Sequence, residues 1–270
     1  MTVKALLFDL DNTLVPEMAN YELAFAAACG ETARHHSFDV TKFRQVVFGT
    51  ANELWQRSET YEYCAALGIG SPTSLLSDFP GERPEFARLR EWAPSYRERC
   101  WRDALRPLVE NGLVDRLAAE LDSAFRANLR SHCPPYDDAV PILEQFTRSH
   151  ALAVLTNGPG DVQRAKLWAS GLGRFFPIAV VSGEIGFGKP DPRIFNTALD
   201  RLDVRADEAI AIGDSLERDV QGARNAGLRC IWLNREHHAQ PVTSKPEYEI
   251  ASLRQGARLI SELTSSRSAS

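Results

Sequence analysis

Apolar positions along this chain follow two rhythms. Short, nearly unbroken runs occur at Val3 to Phe8, Ala151 to Leu155, Ile178 to Val181, Ala209 to Ile212 and Cys230 to Leu233. Each is the length of a strand, and an unbroken apolar run suits a strand covered on both faces, as in a parallel sheet. Between the later runs the apolar residues recur at helical spacing: Asp161 to Ser170, Arg193 to Leu202, and Glu217 to Ala226, the last closed by Gly227 as a helix stop. Strand and helix therefore alternate after about residue 140, which predicts an α/β fold with a doubly wound parallel sheet. A last helix near Ser252 to Leu263 precedes a Ser-rich tail expected to fray.

The stretch between the first and second runs is far too long for one crossover and holds no convincing strand. It reads as an insertion. Tyr21 to His36, Lys42 to Ala66, Phe86 to Val109 and Leu113 to Leu129 are rich in Ala, Leu, Arg and Glu and predict a helical bundle. Gly70, Pro72, Pro80, Gly81 and Pro84 interrupt that bundle with a long loop, and Asp137 to Ser149 reads as the helix that re-enters the core. The expected organisation is a core of residues 1–15 and 136–270 with a helical cap at 16–135.

Composition narrows the class. The 270 residues include 31 Lys and Arg against 36 Asp and Glu, and the net charge of −5 argues against a nucleic-acid partner, whose footprint would be basic. Five scattered cysteines form no C-x-x-C pair and point to a reducing, cytoplasmic setting. No apolar run approaches the roughly 18 residues of a membrane span, so no membrane partner is expected.

Ligands of open parallel sheets sit beyond the carboxyl ends of the strands, and those ends carry the polar residues here. The first run ends in Asp9-Leu10-Asp11-Asn12-Thr13 and the second in Thr156-Asn157-Gly158. Gly188-Lys189-Pro190 follows the third, and Gly213-Asp214-Ser215 the fourth, with Asp219 beyond. Carboxylates gathered in one cleft repel unless a cation joins them, and an oxygen-only ligand set suits Mg2+.

Taken in this order, the segments resemble the motifs of the haloacid dehalogenase superfamily, in its phosphatase branch with a helical cap. The D-x-D-x-T signature is Asp9 to Thr13, the second motif Thr156-Asn157, the third Lys189 before Pro190, and the fourth Gly213-Asp214-Ser215 through Asp219. The resemblance implies a Mg2+-dependent phosphomonoesterase acting on a small soluble phosphate ester, as a monomer or homodimer. Asp9 would be the nucleophile that forms an aspartyl-phosphate, and Asp11 the acid and base. The metal would be held by Asp9, Asp214 and the backbone carbonyl of Asp11. Thr156, Asn157 and Lys189 would bind the phosphoryl group, with Asp219 behind them ordering Lys189 or a bound water.

Two other chemistries use the same fold. A 2-haloacid dehalogenase attacks carbon without metal, and Asp11 speaks against it, because departing halide needs no proton. A sugar phosphomutase would need cap groups that activate a second hydroxyl, and none is identifiable. Within the phosphatases, Gly213 to Arg235 is most similar to nucleotidase-like and acylneuraminate-phosphatase-like members, with phosphoglycolate phosphatases close behind.

Several residues read as structural. Arg83, Arg88, Arg90, Arg97, Arg99, Arg102 and Arg106 include the i,i+4 pairs Glu98–Arg102 and Arg99–Asp103, so most of this set is expected on a solvated helix face. His35-His36 and His237-His238 lack zinc-motif spacing. Trp55, Trp92, Trp101 and Trp168 are expected to pack.

Overall fold

A computed structural model of the chain describes residues 3–239 and 246–265; the Ser-rich tail at 266–270 lies outside the described residues. The strands are β1 (Ala5–Phe8), β2 (Ala151–Thr156), β3 (Ile178–Val181), β4 (Ala209–Gly213), β5 (Arg229–Leu233) and β6 (Tyr248–Ile250). The helices are α1 (Glu17–His36), α2 (Val40–Gln56), α3 (Tyr61–Ala66), α4 (Pro84–Leu105), α5 (Asn111–Ser131), α6 (Ala139–Phe146), α7 (Gly160–Ala169), α8 (Ser182–Ile185), α9 (Pro192–Leu202), α10 (Gly222–Asn225) and α11 (Leu253–Ser265). No helix among the described residues is long and apolar enough to cross a membrane.

Internal packing divides the chain into two units. One comprises residues 1–17, 134–157 and 170–270; the other comprises 18–133 together with 158–169. The second unit thus gathers the inserted helices and also α7, which follows β2 in the chain.

In the first unit the six strands are all parallel in the order β3-β2-β1-β4-β5-β6. Crossovers run outward on both sides of β1, so the strand order reverses between β1 and β4, where such sheets bind ligands. Leu6 pairs with Leu152 on one side and Ile210 on the other, which sets the ends of β1, β2 and β4 level. Ala5, Leu7, Ala153, Leu155 and Ala211 bury one face of the sheet under Ile194, Phe195 and Ala198 of α9. Phe8 points the other way, its ring 6.2 Å from that of Phe176. Coverage on both faces is what the unbroken apolar runs require.

The second unit is built around aromatic side chains. Phe25 stacks on Trp101 at 5.2 Å and meets Phe125 edge-on at 5.6 Å, while Trp55 stacks on Phe79 at 5.9 Å. Arg57 caps α2, and the chain turns before α3, so the helix read from Lys42 to Ala66 is two helices. The stretch between α3 and α4 contains one short 3-10 turn, Thr73–Leu75, and is otherwise irregular, yet Leu75, Leu76 and Phe79 are buried. Backbone buried in a loop has no ladder to satisfy it, and arginines take that task. Arg90 Nη1 donates to the carbonyls of Phe79 and Gly81, both at 2.7 Å, and Arg97 Nη1 to that of Ser77 at 2.7 Å.

Two expectations are corrected here. Arg97 is buried between Asp78 and Asp122, each 3.7 Å away, rather than on a solvated face; the pairs Glu98–Arg102 and Arg99–Asp103 do lie on the exposed face of α4. Trp168 does not pack: it is 84% exposed, because it occupies the outward side of α7, whose buried positions are taken by Val162, Gln163, Lys166 and Leu167. The strand β6, three residues including a central glutamate, goes beyond the five runs read from the sequence.

These packing differences predict unequal costs of truncation. Phe25→Ala should lower stability by about 3–5 kcal/mol, as for other buried aromatics, and Trp168→Ala by less than about 0.5 kcal/mol. Urea unfolding followed by far-ultraviolet circular dichroism measures both.

Candidate active site

The level ends of β1 and β4 fix two carboxylates beside each other. Asp9 follows β1 directly, and its N–H continues the ladder to the carbonyl of Ile212 at 2.9 Å. Asp214 follows β4, and its own carbonyl accepts the indole N–H of Trp232, buried on β5, at 2.8 Å. A single turn, Leu216–Gln221, then brings Asp219 back toward the sheet, started by Ser215, whose hydroxyl accepts the N–H of Arg218 at 3.1 Å. Gly213 is what lets Asp219 return so closely: a Cβ at that position would lie 2.2 Å from Cγ of Asp219. Carboxylate oxygens of Asp9, Asp214 and Asp219 all lie within 4.8 Å of one another.

Lys189 enters from the segment after α8. Its buried ammonium donates to Asp9 Oδ1 at 2.5 Å and to Asp219 Oδ1 at 2.7 Å, and Asp219 Oδ2 accepts the N–H of Ser215 at 3.0 Å. The lysine is held through its main chain by Asn157, whose amide accepts the Lys189 N–H and donates to its carbonyl, both at 2.8 Å. Gly188 leaves room for this clamp, since a Cβ there would stand 2.7 Å from Asn157 Oδ1. Thr156 is buried at the end of β2, one residue before the clamp. Asp11 sits in a tight turn in which the N–H groups of Leu14 and Val15 reach the carbonyl of Leu10 at 2.8 and 3.0 Å, and Asp11 bridges Val15.

Three clustered carboxylates face one lysine. Burial raises the Asp9 pKa well above the usual carboxylate range; Lys189 opposes this, and Asp219 and Asp214 add to it. Asp214 is pushed up to about 7, chiefly by burial and then by Asp219, with Lys189 again opposing. Burial pulls the Lys189 ammonium down, but Asp219 and Asp9 outweigh it and hold its pKa above the ordinary lysine value. The cluster is short of positive charge.

Asp9 Oδ2 makes that shortage local. It is buried and accepts no hydrogen bond from any described residue. A buried carboxylate oxygen in that state is costly unless a cation or a donor joins it. The donor set around it is oxygen only and carries surplus negative charge, which fits a hard divalent cation.

The family model for haloacid dehalogenase-like hydrolases matches residues 3–227, most of the chain and every site residue just described except Trp232. The chain belongs to the haloacid dehalogenase-like hydrolases. It is a hydrolase, and phosphatases acting on phosphoric monoesters are among its relatives. A phosphoserine phosphatase of Thermus thermophilus is 35% identical over 254 residues, covering 94% of this chain and 97% of that protein. The pyrimidine 5'-nucleotidase YjjG of Escherichia coli is 32% identical over 54% of this chain and 67% of its own length. Among solved structures, a 2-haloacid dehalogenase of Pseudomonas syringae superposes with a TM-score of 0.60 at 25% identity, covering 96% of this chain and 99% of that one. The HAD-hydrolase YfnB of Bacillus subtilis, solved with magnesium, shares the fold with a TM-score of 0.64 at 22% identity, covering 98% and 100%.

Of the residues this haloacid dehalogenase-like hydrolase carries at its strand ends, Asp9, Asp214 and Lys189 meet as expected, Asp219 joins them directly rather than standing behind, and Asp11 and Thr156 lie outside that carboxylate–lysine cluster. Sequence reasoning missed Trp232, whose signal is only an indole in a buried strand, and the clamp of Asn157 on Lys189, two residues 32 apart in sequence.

Burial of Asp214, with Asp219 beside it, predicts a pH signature in metal-free protein. A carboxyl whose pKa is higher in the folded than in the unfolded state stabilises the fold while protonated, and that contribution is lost as pH rises through the folded value. For Asp214 the window runs from 3.8 to about 7. Asp214→Asn removes the titration, so relative to wild type it should gain on the order of 2 kcal/mol between about pH 5 and about pH 8. Urea midpoints of both proteins in chelator, at the two pH values, give the comparison.

Proposed function

We propose that this chain is a Mg2+-dependent phosphomonoesterase that hydrolyses a small phosphorylated metabolite through an aspartyl-phosphate on Asp9. The observation that carries the reading is the buried, half-satisfied carboxylate of Asp9, with Lys189 on one oxygen, no described donor on the other, and Asp214 and Asp219 alongside. Asp9 and Asp214, with the backbone carbonyl of Asp11, would hold the magnesium. When bound, the ion supplies positive charge that lets an anionic nucleophile and an anionic phosphoryl group approach.

The chain's own residues carry the remaining steps. Asp9 is the carboxylate that attacks phosphorus; Lys189 engages its Oδ1, and no described donor engages its Oδ2. Lys189 keeps its charge, held by Asp219, and offers it to the phosphoryl oxygens as negative charge builds there. Thr156 contributes its hydroxyl to the same group. The side-chain amide of Asn157 is spent on Lys189, so its part is to place the lysine and to offer its backbone N–H. Asp11 gives a proton to the leaving oxygen, then takes one from the water that cleaves the acyl-phosphate. Esters with poor leaving groups depend on that proton most.

We assign selectivity for the leaving group to the inserted helical unit. A phosphoserine phosphatase aligns along nearly the whole chain, insertion included, whereas the nucleotidase aligns over about half of it. O-Phosphoserine therefore leads the substrate panel, ahead of nucleoside monophosphates, sugar phosphates and phosphoglycolate. Five free, buried cysteines fit a reducing cytoplasm.

Phosphate release across that panel, with magnesium and with chelator, tests the function. Metal-dependent release from at least one ester is expected; chloride release from 2-chloropropionate without metal would replace this reading by dehalogenation. Asp9→Asn should reduce turnover to background, while Asp11→Asn should lose turnover yet still bind magnesium and phosphate. Hydrolysis by Asp9→Asn within a few-fold of wild type would refute the nucleophile. Because Asp214 must shed its proton to take the metal, magnesium affinity should fall as pH drops below about 7, which calorimetric titration across that range reads directly.

A further inference from the structure

Away from the carboxylate cluster, a second group of polar residues in the sheet unit grips the turn that bears Asp11. Arg235 stands just after β5. Its Nη2 donates to the carbonyl of Thr13 at 2.9 Å and to Asp138 Oδ1 at 2.8 Å, and its Nη1 to Asp138 Oδ2 at 3.2 Å. The guanidinium carbon lies 3.9 Å from the centre of the Tyr136 ring, and the Tyr136 N–H donates to the carbonyl of Leu14 at 2.9 Å. Asp138 is fixed from behind by the N–H of Leu253, at the start of α11, donating to Oδ2 at 2.8 Å. Burial pushes the Asp138 carboxyl up, but the hydrogen bonds and charge of Arg235 outweigh it and hold the pKa below the usual value.

The gripped turn is closed on itself by main-chain bonds. Leu14 and Val15 bond back to Leu10, the Asn12 N–H reaches the carbonyl of Val15 at 2.7 Å, and Asp11 bridges Val15. Asn12 has a φ of 59°, in the left-handed region that asparagine tolerates better than most non-glycine residues. Two carbonyls of this piece, those of Thr13 and Leu14, accept the Arg235 and Tyr136 donors. The flat two-pronged fork of arginine suits the task, since one side chain can bind a carboxylate face-on and still reach a carbonyl.

Resting on the phosphatase reading above, we propose that Arg235 is a positioning residue: with Asp138 and Tyr136 it locks the turn at 10–15 and thereby sets Asp11 where its proton meets the leaving oxygen. Among the described residues Arg235 donates no hydrogen bond to Asp9, Lys189 or Asp219, so its loss reaches the site through the turn that bears Asp11. A displaced acid harms esters that need protonation far more than those that do not.

The test compares kcat/KM for two esters, p-nitrophenyl phosphate and the alkyl phosphate that wild type hydrolyses fastest, in wild type, Arg235→Met and Arg235→Lys. In Arg235→Met the alkyl ester should lose about 30-fold or more and p-nitrophenyl phosphate less than about 3-fold, a weaker form of the general-acid deletion pattern expected of Asp11→Asn. Arg235→Lys should recover part of the alkyl activity, and it carries the same comparison where Arg235→Met does not fold. Equal losses on both esters, an unchanged ratio, or a rise in KM alone in an active variant overturns the assignment while leaving the phosphatase reading intact. Wild type that releases phosphate from neither ester overturns the phosphatase reading itself.

Discussion

Three carboxylates drawn into one buried rim against a single lysine are the constraint around which the sheet unit is arranged. Like charges at that spacing repel by several kcal/mol in a poorly screened site, so the rim exists only because the rest of the fold holds it there. Five buried strands in parallel register supply the rigidity. Glycine at 213 and 188 gives the close approach, and donors from Trp232, Asn157 and Ser215 fix the backbone and the rear carboxylate. Among the described residues, Asp9 Oδ2 is then the one oxygen of its carboxylate left without a donor. Stability given up at such a rim is a common counterpart of function.

The helical unit solves a different problem. Its core is aromatic, and its long irregular stretch is buried rather than draped over the surface. Arg90 and Arg97 satisfy the carbonyls of that stretch, while Arg126 and Arg130 bind Asp78 within it. Asp161, at the start of α7, accepts the Ser77 hydroxyl and the Asp78 N–H at 2.7 Å each, so α7 is stitched to the insertion by the same ion network. Of these arginines, Arg97, Arg126 and Arg130 are paired with carboxylates, whereas Arg90 is spent on carbonyls.

Arg235 links these themes within the sheet unit. On the proposed reading, the interactions at Asp9 govern what attacks, whereas those at Thr13 and Leu14 govern where the neighbouring acid stands.

By itself the sequence determined the parallel sheet, because strands buried on both faces must be apolar throughout, and five such runs are plain to read. It determined too that polar residues gather at their carboxyl ends, since chain direction follows from the alternation with helices. The short β6 escaped, because three residues with a glutamate carry no periodic signal. The break between α2 and α3 escaped because helix propensity continues through it, and the exposure of Trp168 because an aromatic residue on a helix does not say which way that helix is turned. Only the tertiary structure decided which partners meet: Asn157 with Lys189, Trp232 with Asp214, Arg235 with Asp138 and Thr13. Those pairs are 18 to 222 residues apart, and contacts between such distant positions follow from strand order and register, which no local pattern encodes.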